Sequence, residues 1–186
     1  FSTKDTWNLT RAEGTMVSWH KGVWIKHGTP KFSFCVWLAA RNRLSTGDRM
    51  LQWNRGASVT CSFCNNAPES RDHLFFACSY TSQIWKALAK QLYQARYSTN
   101  WYSLLNTITV GWQDRKKSFV ARYVLHATLY TIWRERNGRK HGEKPNPAPL
   151  LTTWIDRQVR NRLSSIRKIG DRRYDNSLQI WFQARS

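Results

Sequence analysis

With 186 residues, 41 % of them hydrophobic, the chain is long enough to bury one sizeable core or two small ones and too apolar to stay disordered. Lys and Arg number 30 against 11 Asp and Glu, a net charge of +19 shared by both halves: 13 basic and 5 acidic residues in 1–110, 17 and 6 in 111–186. Such self-repulsion destabilises a compact monomer unless a polyanion neutralises it, which points to nucleic acid; no apolar run approaches the ~18 residues needed to cross a bilayer, which excludes a membrane span.

From the start, Ser2 or Thr3 can cap a short helix running to about Arg11, with Phe1, Trp7 and Leu9 as its buried side and Gly14 as its stop. Residues 17–26 place Trp19, Val23 and Trp24 within a turn of one another, predicting a second short helix that ends near His27 and Gly28. Pro30 suits the first turn of a third, where its missing N–H is not needed. That helix, residues 31–42, carries Phe32, Phe34, Cys35, Val36, Trp37, Leu38 and Ala39, apolar nearly all round and therefore central to the core. Cys35 reads as a small buried hydrophobe and not a ligand. Arg41 and Arg43 leave its C-terminal end, where a cation favours the helix dipole or meets a phosphate. Ser45 or Thr46 then caps a short helix through Trp53, with Asp48 in its first turn and Gly56 after it.

The most specific signal comes next. Cys61-x2-Cys64-x8-His73-x4-Cys78 suits a tetrahedral zinc ion: two thiolates clamp it from a tight knuckle while an imidazole and a third thiolate arrive from the following element. With four protein ligands no position is left for a catalytic water, so the Zn2+ is expected to be single and structural. Two disulfides drawing in Cys35 are the competing arrangement, but they would break up the knuckle, and no signal peptide argues for an oxidising compartment. Asn65, Asn66, Ala67 and Pro68 form a turn cluster, and Glu69 or Ser70 can start a brief helix that presents His73 while Leu74, Phe75 and Phe76 pack inward. Asp72 or a backbone carbonyl is expected to hold the imidazole.

Beyond the knuckle, Ile84, Trp85, Leu88, Leu92 and Tyr93 recur at helical spacing over 81–97, and Trp101, Leu104, Leu105 and Ile108 over 100–110. The break at 111–114 suggests two parts, a helical zinc-binding domain at 1–110 and a basic helical region at 111–186. A long helix over 114–137 follows from the rhythm of Phe119, Val120, Tyr123, Val124, Ala127, Tyr130 and Ile132. Its end gathers Trp133, Arg134, Arg136, Arg139, Lys140 and His141, cations beside a ring that either continues the apolar stripe or stacks a base. Three prolines interrupt 142–149; a further helix over 150–170 then sets Leu151, Ile155, Val159, Ile166 and Ile169 on one face and Arg157, Arg160, Arg167 and Lys168 opposite. Residues 177–182 fit a strand or a short helix equally. The expected fold class is thus all-α with a small CCHC zinc knuckle.

The motifs Ser2-Thr3-Lys4-Asp5-Thr6-Trp7, Trp19-His20-Lys21-Gly22-Val23-Trp24, Pro30-Lys31-Phe32 through Trp37-Leu38, Arg43-Leu44-Ser45-Thr46-Gly47-Asp48-Arg49 and the knuckle with Ala67-Pro68-Glu69-Ser70-Arg71-Asp72-His73-Leu74-Phe75-Phe76 occur in that order. Together they resemble the zinc-binding region that follows the reverse transcriptase in plant LINE-type (non-LTR) retrotransposon polyproteins. The likeness covers about the first half of the chain, and residues 132–141 resemble a segment further along such elements. It implies nucleic-acid handling beside a polymerase, in the nucleus, within a longer chain; Phe1 is not an initiator residue.

Catalysis is not expected of the chain. Metal-dependent cleavage needs converging carboxylates, and the acids are scattered; Asp171 and Asp175, the closest pair, sit in a basic tail. Cys35 is the one thiol not committed to zinc, and no Gly-rich phosphate loop is present. The expected partner is RNA or DNA, reached through Arg41, Arg43, Arg134, Arg136, Arg139, Lys140, Arg157, Arg160, Arg167 and Lys168. The other reading is a host-adopted adaptor whose Trp-rich surface binds a protein.

Overall fold

In the computed structural model, which describes residues 2–10, 15–56 and 58–185, the chain is helical: α1 (Thr3–Thr10), α2 (His20–Val23), α3 (Pro30–Ala40), α4 (Gly47–Met50), α5 (Ser79–Tyr93), α6 (Trp101–Val110), α7 (Arg115–Lys140), α8 (Ala148–Ile169) and α9 (Ser177–Gln183). A π-helical turn (His73–Ala77) and two 3₁₀ turns (Gln94–Arg96 and Arg172–Tyr174) complete it. Among the described residues the one extended pairing is an isolated antiparallel bridge between Thr60 and Pro68. Phe1 and the expected stop at Gly14 lie outside the described residues, as does the side chain of Trp7.

The 26-residue helix α7 is the axis of the fold, packed by α3, α5, α8 and α9. Asp114 caps it by accepting from the N–H of Lys116 at 2.7 Å. Because neighbours surround it, burial extends past the apolar stripe to Ser118, His126, Thr128, Glu135 and Arg136. The core is continuous from Val23 and Phe32 through Trp85 and Val124 to Ile155 and Trp181, so it runs across the turn at Gly111. Asn100 caps α6 through the N–H of Ser103 (3.0 Å), and Gly170 ends α8 at φ +77°, a conformation that suits glycine.

Several expectations shift. Helix α2 is shorter than 17–26: it ends at Val23 because Trp24, at φ −97° and ψ 86°, leaves the helical conformation, and Trp24 stands 52 % exposed. In α3, Pro30 opens the helix as expected and Cys35 is buried, but Phe34 is 52 % exposed, since partners cover one side and not the whole circumference. Leu9, expected to be buried, is exposed. Ile169, expected on the buried face of α8, is exposed too, because that face ends at Leu163 and Ile166 before the cap. Residues 177–183 resolve as helix, with Trp181 fully buried and its indole N–H on Asp156 at 2.9 Å.

Candidate metal centre

Backbone pairing closes the knuckle. The N–H of Cys61 donates to the carbonyl of Ala67 (2.9 Å) and that of Glu69 to Val59 (2.6 Å), while Asn65, at φ +55°, turns the chain between the arms. On the other side, Ser70 Oγ accepts from the N–H of His73 (3.2 Å), and the N–H of Cys78 closes a wide π turn onto the carbonyl of His73 at 2.8 Å. A regular helical turn was expected here. Instead, one extra residue lets His73 and Cys78 approach the knuckle from one turn while Leu74, Phe75 and Phe76 are fully buried behind it.

The donor atoms of Cys61, Cys64, His73 and Cys78 all lie within 4.8 Å of one another. Cys61 Sγ stands 3.9 Å from Cys78 Sγ, and Cys64 Sγ 3.3 Å from His73 Nε2. A tetrahedron with Zn–S of about 2.3 Å and Zn–N of about 2.0–2.1 Å has edges of roughly 3.5–3.8 Å, so the three sulfurs and one nitrogen fit that ion with small adjustment. All four cysteines are free, which removes the disulfide alternative. The hydrogen bond between Cys61 and Cys78 makes their acidities unequal, lowering the Cys78 thiol to about 7 and pushing the Cys61 thiol up to about 12; burial adds to the rise at Cys61. Asp72, considered as a holder of the imidazole, gives its carboxylate to Arg71 Nε at 2.7 Å.

The knuckle is fastened to the rest of the chain by two arginines of α7. Arg136, 4 % exposed, places Nε 3.0 Å and Nη2 2.5 Å from Oε1 of the wholly buried Glu69, and Nη2 also donates to the carbonyl of Ser45 at 2.9 Å. Glu69 in turn accepts from the N–H of Gly47 (3.0 Å) and from Ser62 Oγ (3.2 Å) in the knuckle. A side chain at Gly47 would meet the Val59 backbone at 2.9 Å, so glycine is what lets α4 approach that closely. Arg139 lies over the stacked rings of Phe63 and Tyr80, at 4.7 and 4.5 Å, and pairs with Glu135 at 2.8 Å. Burial alone would push the Glu135 carboxyl up, but hydrogen bonds from Asn146 and Arg139 outweigh it and hold it below its ordinary value.

Arg136 and Arg139 are therefore put to a different use from the phosphate contacts expected of them: both guanidinium groups are committed inside the fold. Sequence reasoning also passed over Glu69, whose role nothing local reveals. Lys140 reaches the carbonyl of Ser58 at 3.5 Å, Arg160 pairs with Asp156 at 2.8 Å, and Arg41 lies 5.6 Å over the ring of Trp37. Trp133 is half-buried beneath the guanidinium of Arg136 at 4.8 Å. Arg43, Arg134, Arg157, Arg167 and Lys168 are exposed and, among the described residues, make no ion pair. Arg157, Arg167 and Lys168 share one stripe of α8 with Arg160, on the side away from Leu151, Ile155 and Val159.

No curated protein and no solved structure matches the chain. Residues 1–85 match a family model described as zinc-binding in reverse transcriptase, a span that contains all four clustered Cys and His residues and ends within α5. Over these residues the match supports a zinc-binding region associated with reverse transcriptase.

Proposed function

We propose that the chain is a non-catalytic module in which one structural Zn2+, held by Cys61, Cys64, His73 and Cys78, fixes a helical scaffold whose basic exterior grips RNA or DNA. It does so beside a reverse transcriptase domain of a LINE-type polyprotein, in the nucleus, positioning template or target while the polymerase does the chemistry. The observation that carries this reading is the unequal fate of the charges. Glu69, Glu135, Asp156 and Asp171 are each paired within the fold, whereas Arg43, Arg134, Arg157, Arg167 and Lys168 face outward with no carboxylate on them among the described residues. A chain of net charge +19 so arranged releases counterions when it meets phosphates, and its affinity falls steeply with salt.

Titrating binding of a fluorescent oligonucleotide against salt tests the proposal. The expected slope of log affinity against log salt is about −3 or steeper, the contribution of several neutralised phosphates; a slope near zero rejects it. The adaptor reading has one observation in its favour, the stacked and partly exposed pair Phe34 and Trp37, 5.5 Å between centroids, on the outer side of α3. A protein partner seated there would be lost on changing both rings to Ala, with nucleic-acid affinity untouched.

A further inference from the structure

Apart from the α8 stripe, a cleft of about 440 Å³ opens between α2, the C-terminal end of α6 and the first turns of α7. Cations line it: Lys21 and Arg115 are exposed and, among the described residues, have no ion pair or side-chain hydrogen bond, while Lys26 stands at the rim. Arg122 closes the floor, donating to the carbonyls of Ile108 (2.6 Å) and Thr109 (3.2 Å). No carboxylate among the described residues lines the cleft. The neighbouring Asp171 accepts from Lys26 at 3.0 Å, but it also holds His27 at 2.8 Å and Arg173 at 2.7 Å, so its single charge faces several cations.

The cleft is more than a basic patch. Its back wall is apolar, formed by Phe119 with Tyr174 set edge-on at 5.0 Å. At its mouth Trp24 leaves 52 % of its surface to solvent, and no other ring or cation covers it among the described residues. An aromatic plane left uncovered beside unpaired cations, over a recess of ligand-pocket size, combines the two elements that single-strand binding uses: charge for the phosphodiester and a flat ring for a base. A duplex offers the charge but keeps its base faces stacked on one another.

We propose that this cleft takes one unpaired nucleotide of a single-stranded nucleic acid, with its phosphate on Lys21 and Arg115 and its base stacked on Trp24. The proposal rests on the reading of the chain as a nucleic-acid binder and narrows it to unpaired strand at residues outside the α8 stripe. A peptide carrying a phosphate would satisfy the cations but gains no specific stack, and it serves as the competitor in the test.

The full chain, loaded with zinc, is titrated with a labelled oligothymidine dodecamer and separately with a duplex of the same length. Trp24→Ala is expected to weaken the single strand about 5- to 100-fold, the range for one lost base stack, and to leave the duplex within about twofold. Replacing Lys21 and Arg115 together by Ala lowers the single-strand salt slope by about 1.4, two phosphate contacts' worth. These side chains are exposed, so an unchanged melting curve confirms that each variant is folded. Equal loss for both oligonucleotides, no loss for either, or displacement of the strand by micromolar phosphopeptide overturns the proposal. If Trp24→Ala binds normally while charge reversal on α8 weakens binding, the cleft is wrong and the broader reading stands; a wild-type chain that binds no nucleic acid removes both.

Discussion

The wholly buried carboxylate of Glu69 is clasped by the guanidinium of Arg136, 67 residues further along the chain. The pair joins the zinc knuckle, α4 and the last turns of α7 through one acceptor, since Glu69 also takes the N–H of Gly47 and the hydroxyl of Ser62. Removing one partner leaves the other charged, buried and unpaired. Glu69→Ala is expected to cost about 3–5 kcal/mol in urea unfolding, whereas replacing both residues by Met costs less than the sum of the two single changes. Additive costs would show that the two side chains do not act as a unit.

Metal removal should act on the same half of the molecule. Cys64→Ser, or chelation of the wild type, is expected to abolish the single bound zinc and destabilise the chain by ~3 kcal/mol or more, lowering Tm by roughly 6–12 °C for a chain of this size. Cys35→Ala, on the buried side of α3, is expected to keep one zinc per chain by elemental analysis. Metal lost on the Cys35 change, or an unaltered melt on the Cys64 change, contradicts the ligand set.

His126 gives the stability a pH dependence of its own. Buried in α7, it donates from Nε2 to the carbonyl of Gly22 (2.9 Å), while Nδ1 has no partner. Burial pushes its pKa down from 6.5 to about 4, partly opposed by that hydrogen bond. Between those values the unfolded chain binds more protons than the folded one, so this contribution is complete above pH 6.5 and is lost as pH falls toward 4. Moving from pH 7 to 5 should remove about 2 kcal/mol. With zinc held in excess, His126→Gln should show a shallower loss over that interval; parallel curves for the two proteins would refute the assignment.

Charge reversal on the outer stripe separates binding from folding. Replacing Arg157, Arg167 and Lys168 by Glu should weaken RNA and DNA of any sequence to a similar degree and cut the salt slope by roughly 2–3, with Tm nearly unchanged because all three are exposed. Loss of preference at a single base position would instead indicate base reading. Arg136→Glu, by contrast, should unfold the chain before it reports on binding.

The sequence by itself determined which Cys and His residues cluster and most of the helices, because both are largely local matters. Cys61-x2-Cys64 followed by His73 and Cys78 has the spacing of a knuckle within a short stretch of chain, and apolar residues three and four apart mark α5, α6, α7 and α8 before any neighbour is known. Tertiary structure alone decided the use of each cation. Arg134, Arg136 and Arg139 sit within two turns of one helix and look alike in sequence, yet Arg134 faces solvent, Arg136 meets a buried carboxylate and Arg139 lies over a stacked pair of rings from other segments. Periodicity gives the direction in which a side chain leaves its helix; what waits there is set by residues such as Glu69, Phe63 and Tyr80, brought in from far along the chain. The cleft beside Trp24 was hidden for the same reason, since it exists through contacts between segments that carry no local sign of meeting.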